Sequence, residues 1–103
     1  MKRCIPPLLL LAAGLSSPLP SLANQALAAA KNCLACHTID KKVVGPAYKD
    51  VAAKYRGDKT APTRLATKIM EGGGGVWGVV KMPSTPHVSD AEAKKLVAWV
   101  LSQ

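Results

Sequence analysis

The chain has no phenylalanine, and only two tryptophans and two tyrosines among its 103 residues. Aromatic side chains carry much of the volume of a small core. A domain this short and this poor in them needs another large apolar body at its centre. Acidic residues are also scarce, 6 against 14 lysines and arginines, for a net charge of +8. That balance suits nucleic acid, a membrane surface or acidic proteins as partners. No strand alternation is readable, which points to an all-α domain. The apolar run from Leu8 to Ala13 is too short to cross a bilayer.

That run instead has the layout of a secretory signal. Met1-Lys2-Arg3 provides a basic start, Pro18 and Pro20 break off the apolar core, and Ser21-Leu22-Ala23 puts small residues at the −3 and −1 positions. Residues 1–23 are expected to be a signal peptide cleaved after Ala23, leaving residues 24–103 as a single domain with no stable membrane anchor. Cys4 precedes the apolar core and would be discarded with it. Taking 23 of the 103 residues away leaves 80, with 12 basic residues against 6 acidic and a net charge of +6. Export to the periplasm makes nucleic acid the least suitable of the three partner classes, and no nucleic acid is expected.

Four short helices are expected. Residues 24–32 are alanine-rich, a composition of high helix propensity. Residues 47–56 place Val51, Ala52 and Tyr55 at helical spacing, and Thr63 could cap a third helix with Leu65, Ala66, Ile69 and Met70 on one face. Ser89-Asp90-Ala91-Glu92 reads as a capping box that opens a fourth helix, with Leu96, Val97, Val100 and Leu101 as its apolar stripe and Trp99 beside it. The intervening loops, 38–46 and 72–88, are too long for an ordinary small bundle and need something to pack on.

Cys33-Leu34-Ala35-Cys36-His37 is the densest chemistry in the chain. A dithiol redox pair would use the two cysteines, but expects a strand leading into them. A zinc site could recruit Cys33, Cys36, His37 and His87, but structural zinc sites pair their ligands with tighter spacing. Covalent haem attachment uses both thiols on neighbouring vinyl groups and the histidine on the iron. Export, small size, aromatic poverty and long loops all fit this third reading.

Opposite His37, the candidates are Met70, Met82 and His87. Met70 falls on a helical core face, where methionine usually serves as packing, and His87 would give a bis-histidine site. Met82 lies in an irregular stretch stiffened by Pro83, and a thioether there is the expected mate of histidine in an electron carrier. Just before it run Gly72, Gly73, Gly74 and Gly75. No lysine and hydroxyl pair follows them as a phosphate cradle requires. They read as the approach that carries Met82 to the metal, with Gly72 ending the third helix and Trp77 pinning the loop.

Taken in order, Cys33-x-x-Cys36-His37, the run 44–52 (Val-Gly-Pro-Ala-Tyr-Lys-Asp-Val-Ala), Gly75-Val76-Trp77-Gly78, Met82-Pro83 and the segment from Val88 to Ser102 resemble a small class I c-type cytochrome, closest to the bacterial cytochrome c-551 group. The resemblance spans residues 24–103. It implies a cytochrome c fold, about four short helices and long loops wrapped around one haem c bound covalently through Cys33 and Cys36. His37 and Met82 would be the axial ligands, and the Pro46 carbonyl would accept from the other ring N–H of His37. Trp77 matches a tryptophan whose indole reaches a haem propionate, and Lys68 falls where some relatives carry a propionate-binding arginine. Thr85 stands where relatives often have an asparagine that bonds the ligand sulfur. Leu27-Ala28 replaces a bulky aromatic, so a thinner contact with the Trp99 helix is expected.

The function implied is a periplasmic monohaem electron carrier, monomeric and not an enzyme, moving single electrons between redox proteins such as a cytochrome complex, reductase or oxidase of a respiratory chain. The alternative is a haem-based sensor or peroxidase-like subunit in which Met82 is displaced. Val43, Val44, Val79 and Val80 are expected to form an apolar collar at the haem edge. Lys41, Lys42, Lys49 and Lys81 would surround it and meet partners with acidic docking surfaces.

Overall fold

The last helix organises the rest. In the computed structural model, which describes Gly14 and residues 20–103, α1 spans Pro20–Ala30, α2 Tyr48–Lys54, α3 Ala61–Glu71 and α4 Asp90–Leu101. α4 packs against each of the other three. The basic start, the apolar run and Cys4 of the expected signal lie outside the described residues. α1 crosses the expected cut between Ala23 and Asn24. No helix of the described residues is long and apolar enough to cross a membrane.

α4 begins as its sequence predicts. The Ser89 hydroxyl accepts from the Glu92 N–H at 3.1 Å, and the Glu92 carboxylate accepts from the Ser89 N–H at 3.0 Å. Two donors that a helix start leaves bare are thereby satisfied. Ala93, Leu96, Val97 and Trp99 are buried, whereas Val100 and Leu101 are half-buried. Trp99 therefore sits at the centre of the core rather than beside the stripe, meeting Tyr48 edge-on at 5.2 Å between ring centroids.

α3 begins earlier than Thr63. Pro62 occupies the first turn, where a missing N–H costs nothing. Asp58 folds back over the start, accepting from the N–H and hydroxyl of Thr60 at 2.9 and 2.7 Å and from Arg64 at 2.6 Å. These bonds hold the Asp58 carboxyl below its ordinary value, the Thr60 hydroxyl being the largest cause. On α1, Ala28 is fully buried and Leu27 packs on the same core. The contact of α1 with the core is thus made through Ala28 and Leu27, with no aromatic side chain in the helix.

Candidate functional site

Between the helices and two loops lies a cavity of about 760 Å³, within the range that encloses a cofactor-sized ligand. Its lining includes Cys33, Cys36 and His37, and also Trp77, Met82 and Pro83. The charged residues of the lining are Lys42, Lys68 and Lys81, with no acidic residue among them. An apolar chamber ringed only by cations fits a flat apolar ligand that carries carboxylates on its rim, as haem does. His87 and Met70 do not line it. Among the described residues, no three His, Cys, Asp or Glu side chains are grouped to hold a metal ion, so the geometry offers no four-ligand zinc site.

The Cys33 wall is built from a left-handed turn. Asn32 takes φ 64° after the end of α1, a conformation that asparagine tolerates better than most residues. A single 3₁₀ turn, Cys33–Ala35, follows, with the N–H groups of Cys36 and His37 both donating to the Cys33 carbonyl, at 3.2 and 3.0 Å. Burial pushes the Cys33 thiol above its ordinary value of 9.0, against the pull of its own backbone and of Tyr48. Burial likewise pushes the Tyr48 hydroxyl above 10.0, and both groups stay neutral at pH 7.

The His37 ring is fixed on several sides. Its Nδ1 lies 2.8 Å from the Pro46 carbonyl oxygen. A carbonyl only accepts, so Nδ1 carries the proton and Nε2 keeps its lone pair for a metal. Proline serves here because it loses its N–H and keeps its carbonyl. Tyr48, which the sequence reading left unassigned, stacks on the imidazole at 5.1 Å between centroids and 19° between planes. Gly45 closes against the ring as well. The loop carrying these groups is folded by Thr38, whose hydroxyl accepts from the Lys41 N–H at 2.9 Å and whose carbonyl accepts from the Tyr48 N–H, also at 2.9 Å.

The Met82 wall is built on the glycines. Gly72 ends α3 with φ +75°, its N–H donating to the Lys68 carbonyl at 2.8 Å. Gly73 and Met82 then pair as an isolated antiparallel bridge, N–H to carbonyl in both directions at 2.9 Å. Residues 74–81 form a loop closed by this bridge, with Gly75 donating to Gly78 at 3.2 Å. Trp77 lines the cavity and is 39% exposed, and the Lys54 ammonium lies 5.6 Å from its ring centroid. Lys68 lines the cavity too and lies along Gly73. The Thr85 hydroxyl donates to the Ile69 carbonyl, at the end of α3.

The mouth of the cavity is apolar and open. Val43, Val44, Val79 and Val80 all line it and all are exposed, Val79 at 96%. Lys42 and Lys81 stand with them, whereas Lys41 and Lys49 are outside the lining. Lys49 is paired with Asp40 at 2.6 Å.

Known proteins resemble this chain in sequence and fold. A family model for cytochrome c matches residues 22–103. Cytochrome c-551 of Allochromatium vinosum is 53% identical over 81 residues, covering 79% of this chain and 86% of that one. Cytochrome c-551 of Stutzerimonas stutzeri is 47% identical over 104 residues, covering 99% and 98%. The crystal structure of wild-type Nitrosomonas europaea cytochrome c552 superposes with a TM-score of 0.74 at 52% identity, covering 76% of this chain and 96% of that chain.

Proposed function

The chain belongs to the cytochrome c family, and from that premise we propose that it is a periplasmic carrier whose haem iron would be held by His37 and Met82. The coarser facts follow from the family itself: the chain is an electron carrier, not an enzyme, and its Cys33 and Cys36 pair holds haem c covalently. When bound, the haem supplies the one-electron couple. The protein's part is to anchor, ligate and enclose it.

One observation carries the ligand reading: His37 and Met82 line a single cavity from two separate loops, with His37 Nδ1 already engaged by Pro46. That engagement fixes the ring orientation and raises the basicity of the free nitrogen. Two ligands held by the backbone leave no position for a substrate, and they keep rearrangement small when the charge on the metal changes. Trp77 and Lys68 line the same chamber, where an indole N–H and an ammonium would serve the propionates. Lysine keeps the charge an arginine would bring and gives up its forked geometry.

The domain reading is residues 24–103 after removal of an export signal. It is supported by a family match that starts at residue 22, two residues before the first residue of the expected mature chain. Redox partners would dock on the apolar mouth, their acidic rims facing Lys42 and Lys81, in a small and transient contact.

Visible spectroscopy tests the reading. The reduced protein should show a sharp low-spin band, the oxidised protein a weak far-red sulfur-to-iron band, and neither should bind carbon monoxide at neutral pH. Met82→Ala should be high-spin; survival of the low-spin spectrum in that variant would remove Met82 from the site. Ready carbon monoxide binding by the unaltered protein would favour a sensor with a displaceable methionine.

A further inference from the structure

Thr85 lies three residues beyond Met82 and is half-buried. Its hydroxyl donates to the Ile69 carbonyl, and its N–H donates to the Met70 carbonyl at 3.2 Å. Both acceptors belong to the last turn of α3, where a helix leaves its carbonyls without internal partners. Met82 itself is bridged to Gly73, two residues past the end of the same helix. The segment carrying the ligand is therefore attached to α3 on both sides of the sulfur, first by Gly73 and then by Thr85.

A threonine hydroxyl has one proton to donate, and here that proton goes to Ile69. We propose that Thr85 is a positioning residue for Met82: it holds the ligand loop on the end of α3 through the Ile69 carbonyl, and leaves the ligand sulfur without its hydrogen bond. The inference rests on Met82 being the axial ligand. Without the hydroxyl, the Ile69 carbonyl loses its side-chain donor, and the tether beyond Met82 is reduced to the Thr85 N–H on the Met70 carbonyl. States with Met82 away from the metal then gain population. A small ligand that competes for the same position binds more tightly in proportion to that population.

The experiment is a titration of the ferric holoprotein with imidazole, followed in the visible spectrum at fixed pH and salt. Thr85→Val, which keeps the shape and removes the donor, should raise the apparent imidazole affinity about tenfold, roughly 1.4 kcal/mol. Thr85→Ser should restore the original affinity, because it restores the donor. A contribution confined to overall stability would shift the unfolding midpoint and leave the imidazole affinity alone, so unchanged affinity in Thr85→Val overturns the proposal. A shifted far-red band at unchanged affinity would place the hydroxyl on the sulfur and overturn it equally. Failure of Thr85→Ser to rescue would mean that the hydroxyl donor is not what holds the loop, again overturning it. Met82→Ala separates the two levels. A low-spin Met82→Ala protein overturns the ligand reading and this inference together, whereas a high-spin one with an unresponsive Thr85→Val overturns this inference alone.

Discussion

Gly45 lies so close to the His37 imidazole that a β-carbon on it would stand 2.8 Å from Nδ1 and 2.9 Å from Nε2. Its φ lies outside the left-handed region, so backbone strain is not what demands a glycine here. The demand is contact. Gly45→Ala should push the ring off the Pro46 carbonyl or displace the loop, at a cost of about 1–3 kcal/mol as in other overpacked sites. A guanidinium melt of the holoprotein gives the stability loss, and a weakened low-spin band shows whether the ligand moved. Wild-type values for both would mean that the loop relaxes freely.

The four consecutive glycines make four different demands. Gly72, at φ +75°, would place a β-carbon 2.5 Å from the Met82 carbonyl oxygen and 2.7 Å from the Ser84 nitrogen, both backbone atoms. Gly73 combines φ +129° with the Lys68 side chain, a neighbour that can swing aside. Gly75 has φ +96° and open space around it. Gly74 has no positive φ, and its nearest neighbours are Lys81 Cγ at 3.0 Å and Cα at 3.3 Å. Substitution by alanine should therefore cost most at Gly72, where strain and clash combine. Strain alone at Gly75 should cost about 1–3 kcal/mol, and Gly74 should be the mildest of these three. Denaturant midpoints order them; equal losses would mean that the run is only slack.

Local signals account for what was legible beforehand. The Cys33-to-His37 motif, the Ser89 capping box and the Met82-Pro83 pair each announce themselves within a few residues, and the all-α architecture follows from periodicity. What escaped depends on partners distant in sequence. The start of α3 is a local exception: Pro62 stands in its first turn and Asp58 accepts from Thr60 just before it, so spacing alone puts the cap too late, at Thr63. Tyr48 stacks on a histidine eleven positions earlier, and nothing in its neighbours marks that role. Thr85 was compared with an asparagine by position, yet its hydroxyl is directed by the end of α3, sixteen residues back. Four identical letters could not disclose that Gly72 faces backbone while Gly75 faces solvent.

Acid should loosen the α1–α4 contact only once the pH falls below the ordinary carboxylate range. The Ser89 backbone N–H is the main cause holding the Glu92 carboxyl below its ordinary 4.5, with the Ser89 side chain and then Lys31 adding to it. Lys31 reaches Glu92 at 3.4 Å and the His87 carbonyl at 3.0 Å, tying the end of α1 to the segment before α4. A depressed folded-state value means that the carboxylate contributes stability above its unfolded value, and that this is lost as pH falls through the folded value. Asp58 acts in the same direction at α3. Thermal melts between pH 7 and pH 3 should show falling stability below the ordinary carboxylate range. Glu92→Gln should flatten that slope while lowering the neutral plateau. An unchanged slope would place the acid sensitivity elsewhere.

Electron exchange with an acidic partner should depend on Lys42 and Lys81 more than on Lys49. The first two line the cavity mouth beside Val43 and Val80, and no carboxylate of the described residues pairs with either. Lys49 lies outside the lining, and a partner's carboxylate would have to draw its ammonium away from Asp40. Charges at the rim of a contact act chiefly on the association rate, and salt screens them. Lys42→Gln and Lys81→Gln should each lower the second-order rate several-fold at low ionic strength and reduce its salt dependence. Lys49→Gln should change both less. Stopped-flow oxidation by an acidic redox protein at a series of salt concentrations measures all three. Equal effects would mean that net charge steers the encounter and that the mouth has no special part. A larger loss from Val79→Asp than from either glutamine variant would locate the contact at the collar itself, because Val79 projects almost fully into solvent there.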